Sequence, residues 1–98
     1  MKEYMVNIEL PENPPKEFIS LIPEQRARID ELMNAGVVTS YSLAFDRSRL
    51  WVTLSADSRE DAAAILSSFP LFGWMNAEIR ELMFRKTEAV MLPPVSMN

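Results

Sequence analysis

Glu78 and Tyr41 are the side chains best suited to moving a proton in a chain that has no histidine and no cysteine. A carboxylate sheltered from water takes up protons more readily and can abstract one from carbon beside a carbonyl. A tyrosine hydroxyl can donate a hydrogen bond to the enolate that such a step creates. Arg28 can hold a substrate carboxylate through a two-pronged contact. Asn7 and Trp51 offer a polar and an aromatic surface on which a small ligand can rest. Each also has a structural role to weigh. Glu78 can pair with Arg80, and Arg28 can pair with Glu24 one helical turn earlier. Tyr41, Trp51 and Trp74 can serve as packing aromatics.

The absent residue types exclude much else. Without Cys there is no disulfide framework, thiolate nucleophile or Cys-ligated metal. Without His there is no His-ligated haem, no common zinc site and no Ser-His-Asp chemistry. The two glycines, Gly36 and Gly73, make no phosphate-binding loop. A net charge of −4 argues against nucleic acid as a partner, and no aromatic motif of the RNA-binding type is present. No apolar run approaches the roughly 20 residues that span a bilayer. Met1 to Asn7 lacks the apolar core of a signal peptide, so the expected location is cytoplasmic.

The elements that must position these residues are legible in the pattern. Residues 3–10 alternate as a strand, with Tyr4, Val6, Ile8 and Leu10 on one face and Glu3, Met5, Asn7 and Glu9 on the other. Pro11, Pro14 and Pro15 break it. Residues 15–35 read as helix, in two pieces if Pro23 opens a second segment. Ile22, Ile29, Leu32 and Met33 form its apolar stripe. Gly36 suits the helix end. Residues 37–45 and 50–55 read as a hairpin around the polar turn Asp46-Arg47-Ser48-Arg49. Ser58 and Asp61 begin a helix in the manner of a capping box. Its buried side is expected to be Ala62, Ala63, Ile65, Leu66 and Phe69.

Pro70 ends that helix, and Leu71, Phe72, Gly73 and Trp74 form an elbow too apolar for open solvent. Gly73 is expected to use backbone angles closed to other residues. A last strand occupies roughly residues 75–84. The order β-α-β-β-α-β is the ferredoxin-like α+β pattern, with a four-stranded antiparallel sheet. Two helices cover one sheet face. The other carries Met5, Asn7, Glu9, Trp51, Thr53, Glu78 and either Ser40 or Tyr41. A face of that mixture is expected to meet a second copy, enclosing a partly polar space.

The run Phe69-Pro70-Leu71-Phe72-Gly73-Trp74-Met75-Asn76-Ala77-Glu78-Ile79 resembles the muconolactone isomerase family, whose members have a Leu-Pro-Leu-Phe-Pro-Tyr-Met run before an acidic strand. Leu10-Pro11 after the first strand fits as well, and so does Glu31-Leu32 running into Gly36. The resemblance covers residues 1–88. It implies a dimeric α+β barrel of ferredoxin-like subunits, with a pocket between sheet and helices. It also implies proton transfer within an unsaturated lactone, with neither metal nor organic cofactor. Residues 89–98 form a tail that, by the same resemblance, contacts a neighbouring subunit. Related methylisomerases carry a His on the first helix and a Tyr on the second strand. Arg28 and Tyr41 stand near those positions here.

The reading that follows is a cofactor-independent isomerase-like protein acting on a small lactone or carboxylated metabolite. Glu78 moves the proton, Tyr41 stabilises the enolate, and Arg28, Asn7 and Trp51 bind the substrate. A non-catalytic ligand-binding or oligomerisation module of the same fold is the alternative, as is a cofactor-free monooxygenase.

Overall fold

In a computed structural model, residues 1–86 are described. The expectation for the tail at 89–98 therefore falls outside the described residues. The elements in chain order are β1 (Lys2–Glu9), α1 (Lys16–Ser20), α2 (Ile22–Asn34), β2 (Val38–Leu43), β3 (Arg49–Ala56), α3 (Arg59–Ser67), a 3₁₀ turn (Phe72–Trp74) and β4 (Asn76–Glu81). The strands form one antiparallel sheet in the order β2-β3-β1-β4. This is the βαββαβ arrangement, with its first helix divided in two.

The division falls at Leu21, and Pro23 lies in the first turn of α2, where its missing N–H costs no helical hydrogen bond. Ala35 caps the helix, and Gly36 follows with φ 75, a left-handed angle that glycine adopts without strain. Ser58 caps α3 by accepting from the Asp61 N–H at 3.1 Å.

Tyr4, Val6 and Ile8 of β1 pack with Leu50, Val52 and Leu54 of β3 under Ile29 and Leu32 of α2 and Ala62 and Leu66 of α3. The two strands pair so that Val6 faces Val52 and Tyr4 faces Leu54. Alternation then puts Met5, Asn7, Trp51 and Thr53 on the opposite face. Helix faces were less legible than strand faces. Ala63 is exposed where a buried side was expected, and Met33 stands 39% exposed.

The elbow packs through Phe69, Leu71 and Trp74, while Phe72, expected to pack with them, stands 40% exposed. Phe69 and Leu71 are buried, and Trp74 meets Phe18 of α1 edge-on with ring centroids 5.8 Å apart. Gly73 departs from expectation. Its φ is not positive, and a Cβ there would meet nothing within 4 Å. The reversal is made by 3₁₀ hydrogen bonds, Phe72 N–H to Phe69 O and Trp74 N–H to Leu71 O, both 3.0 Å.

One irregularity in β2 decides the site. Val38 pairs with Leu54, yet Ser40 pairs with Thr53, so Thr39 is an extra residue in a β-bulge. Past the bulge the alternation is shifted by one. Tyr41 pairs with Val52 on the helix face, and Ser40 and Ser42 take the open face. The choice between Ser40 and Tyr41 for the open face thus falls to Ser40.

Candidate functional site

The bulge turns Tyr41 into a cavity of about 610 Å³ between the sheet and the α1–α2 corner. That volume lies within the range of sites that hold small organic ligands, roughly 300–1,000 Å³. Phe18, Ile22, Leu43, Leu50, Leu71 and Met75 give it apolar walls. The β1–α1 loop closes one side with Leu10, Pro11, Glu12 and Pro14, and the β2–β3 turn closes another with Asp46, Arg47 and Ser48.

Two polar side chains meet in this apolar space, a buried Gln25 and a half-buried Tyr41. Gln25 is 3% exposed. Its Nε2 donates to the Tyr41 hydroxyl oxygen at 3.1 Å, and its Oε1 accepts the Leu71 N–H at 3.1 Å. Burial raises the pKa of Tyr41 above 10.0, opposed by the Gln25 hydrogen bond and by the positive charge of Arg26. The phenol therefore stays protonated across neutral pH and is available as a donor.

The mouth is charged. Arg26 and Arg47 both border it, and neither forms an ion pair among the described residues. Arg47 has φ 64, a left-handed angle that costs a side-chain-bearing residue about 1–2 kcal/mol. Asp46 accepts from the Ser48 N–H at 3.0 Å and from its hydroxyl at 2.6 Å. Those bonds hold its carboxyl below the ordinary value. The Glu12 side chain makes no hydrogen bond or ion pair among the described residues.

The residues singled out in the sequence separate into three places. Tyr41 is in the cavity. Trp51, Asn7 and Glu78 lie side by side in one row across the open face, since Trp51 pairs with Asn7 and Asn7 with Glu78. In that row Asn7 accepts from Arg49 at 2.9 Å. Glu78 pairs with Arg80 at 3.0 Å, and both of those side chains are more than half exposed. Arg28 does not border the cavity. It ties α2 to the end of α3, reaching Ser68 Oγ at 3.0 and 3.2 Å and Glu31 at 2.9 Å. Its acidic partner is thus Glu31, three residues on, and not Glu24. The structure brings Tyr41 and Glu78 to opposite faces of the sheet.

Sequence reasoning missed Gln25, Arg26 and Arg47 as site residues. Gln25 had a signal. It stands three residues after Ile22 and four before Ile29, so it is a polar residue inside an apolar helical stripe. Arg47 was visible only as part of a polar turn.

The family model for muconolactone delta-isomerase matches residues 3–85. The chain belongs to the muconolactone isomerase family. A crystal structure of muconolactone isomerase superposes with a TM-score of 0.69 at 18% identity, covering 93% of this chain and 97% of that one. The likeness establishes the shared fold. No curated protein sequence matches the chain. Among the described residues no helix is long and apolar enough to cross a membrane.

Proposed function

We propose that the chain is a cofactor-independent isomerase that shifts a proton within a small unsaturated lactone bearing a carboxylate. The carrying observation is the cavity itself, an apolar chamber with one oriented phenol inside and, at its mouth, two guanidinium groups without an ion pair among the described residues. Family membership supports the reaction class.

In this reading the ring lies against Phe18, Leu50, Leu71 and Met75, and its carboxylate meets Arg26 and Arg47. A carboxylate base breaks the C–H bond at the carbon joined to the carbonyl through the ring C=C bond. The electron pair forms a new C=C bond there, the existing double bond shifts toward the carbonyl, and negative charge falls on the carbonyl oxygen. Tyr41 donates a hydrogen bond to that oxygen, an arrangement worth about 10²–10³ in rate where one such donor has been removed. The proton returns to a different carbon of the conjugated system, which restores the carbonyl and moves the double bond. No electrons leave the substrate, and neither step calls on a metal or an organic cofactor. Glu12 serves as the base, because it borders the cavity with its carboxylate uncommitted among the described residues, whereas Asp46 is tied to Ser48. Glu78 stands outside this assignment, with Arg80 for a partner on the far face.

The test is deuterium exchange. With muconolactone as probe in D₂O, the chain should label the carbon beside the carbonyl far faster than buffer does. Glu12→Gln and Tyr41→Phe should each slow the labelling. Exchange no faster than buffer, or exchange lost in Glu78→Gln and kept in Glu12→Gln, would remove this assignment.

The open sheet face supports a second copy of the chain as partner. Trp51 is 38% exposed in the middle of that face, flanked by half-buried Met5 and Asn7. Light scattering should give at least twice the 11.2 kDa chain mass, and Trp51→Glu should lower it. A wild-type chain that is monomeric at high concentration would contradict self-association.

A further inference from the structure

We infer that Gln25 is a positioning residue that sets the direction in which Tyr41 presents its proton. This rests on the reading of Tyr41 as donor to the substrate oxygen.

Leu71 follows Pro70 and precedes the 3₁₀ turn, and its N–H goes to Gln25. A backbone N–H can only donate, so the Gln25 atom facing it is the amide oxygen. The NH₂ group is then the end that faces Tyr41. An amide NH₂ can only donate, so the Tyr41 oxygen accepts that bond. The phenol has one proton of its own, and Gln25 has no acceptor left to offer it. That proton is therefore free to point into the cavity. Burial of Gln25 keeps water from scrambling the arrangement. Three segments distant in sequence, the elbow, α2 and β2, thus fix one O–H direction.

Gln25→Glu tests this with almost no change of shape. When the introduced carboxyl is ionised, its two oxygens accept from Leu71 and from Tyr41, and the phenol proton turns away from the cavity. When that carboxyl is protonated, its carbonyl and O–H reproduce the two ends of the amide. Burial moves its titration upward from the ordinary carboxylate range.

The variant should therefore exchange muconolactone about 10²-fold more slowly than wild type above that titration. It should recover as pH falls through it, a limb absent from the wild-type profile. Tyr41, followed by ¹³Cζ NMR and assigned with Tyr41→Phe, should ionise at higher pH in the variant than in wild type. A Gln25→Glu chain with wild-type pH profile and wild-type Tyr41 titration overturns the inference. If wild type does not exchange muconolactone, the functional reading fails, and the Tyr41 titration alone decides the role of Gln25. If Gln25→Glu does not fold, the wild-type side-chain amide decides. Its protons should exchange slowly with water and faster in Tyr41→Phe, and equal rates in the two would overturn the inference.

Discussion

Two rows of residues, one position apart along the same four strands, illustrate how this sheet divides its work. Tyr41, Val52, Val6 and Ile79 form the row beneath the helices. Ser42, Trp51, Asn7 and Glu78 form the row beside it on the open face. The first is hydrocarbon except for a single hydroxyl held by a buried amide. The second is polar throughout except for one tryptophan, and its one charge, on Glu78, lies near water. A hydrogen bond in the first row acts in a low-dielectric space, where it is strong and its direction is fixed. An ion pair in the second is screened, and such pairs contribute about 0–1 kcal/mol. Chemistry that depends on an oriented donor belongs to the first row.

The largest way to sharpen this contrast is to truncate each face. Leu54→Ala, at a fully buried site on the helix side, should cost about 2–5 kcal/mol of stability in urea unfolding. Trp51→Ala should cost the isolated chain less than half as much. Equal losses would mean the open face is as much a core as the other.

Tyr41→Phe should lower muconolactone exchange about 10²-fold while changing stability by about 1 kcal/mol. A full-speed variant would break the assignment of the oriented donor.

Arg26→Gln and Arg47→Gln should each raise KM about tenfold with little change in kcat, the mark of uniform binding lost. Arg47→Gly should do the same while leaving stability unchanged or improved, because it relieves a left-handed backbone angle. Arg28→Gln should leave KM alone, since its contacts run to Glu31 and Ser68.

The smallest effect is in pH dependence. The folded pKa of Asp46 lies below its ordinary value of 3.8, so its contribution is complete above 3.8. It is lost as pH falls through the lower folded value. Tyr41 has the opposite sense. Its folded pKa lies above 10.0, so its contribution is complete below 10.0 and is lost as pH rises through the folded value. Asp46→Asn should flatten the acid side of the stability curve and leave the alkaline side unchanged.

Much of the fold was legible because β1 and β3 alternate well enough, despite Met5 and Trp51, and each element carries its own punctuation, with proline before α1 and within the first turn of α2, a serine cap on α3, and glycine after α2. The elbow could be read as packed because so many of its residues are apolar. The side to which Tyr41 turns was not legible. The sequence Val38-Thr39-Ser40-Tyr41 carries no glycine or other mark of a bulge, and the shift arises from how β2 pairs with β3. Gln25 was hidden for a related reason. Its significance depends on the Leu71 N–H and the Tyr41 hydroxyl meeting it from segments 46 and 16 residues away. The open face of Glu78, Asn7 and Trp51 was legible from strand alternation, whereas the cavity that holds Tyr41 lies on the other face, under the helices. Local pattern gives elements and faces, while the convergence of distant polar atoms emerges only on folding.

On the proposed function the ligand enters the cavity under the helices and does not lie on the open face. Titration of the ¹⁵N,¹³C-labelled chain with muconolactone tests it most directly. Resonances of Gln25, Tyr41, Arg47 and Leu71 should shift together with one dissociation constant, while those of Asn7, Trp51 and Glu78 stay in place. Shifts confined to Asn7, Trp51 and Glu78 would contradict the account and move the site to the other side of the sheet.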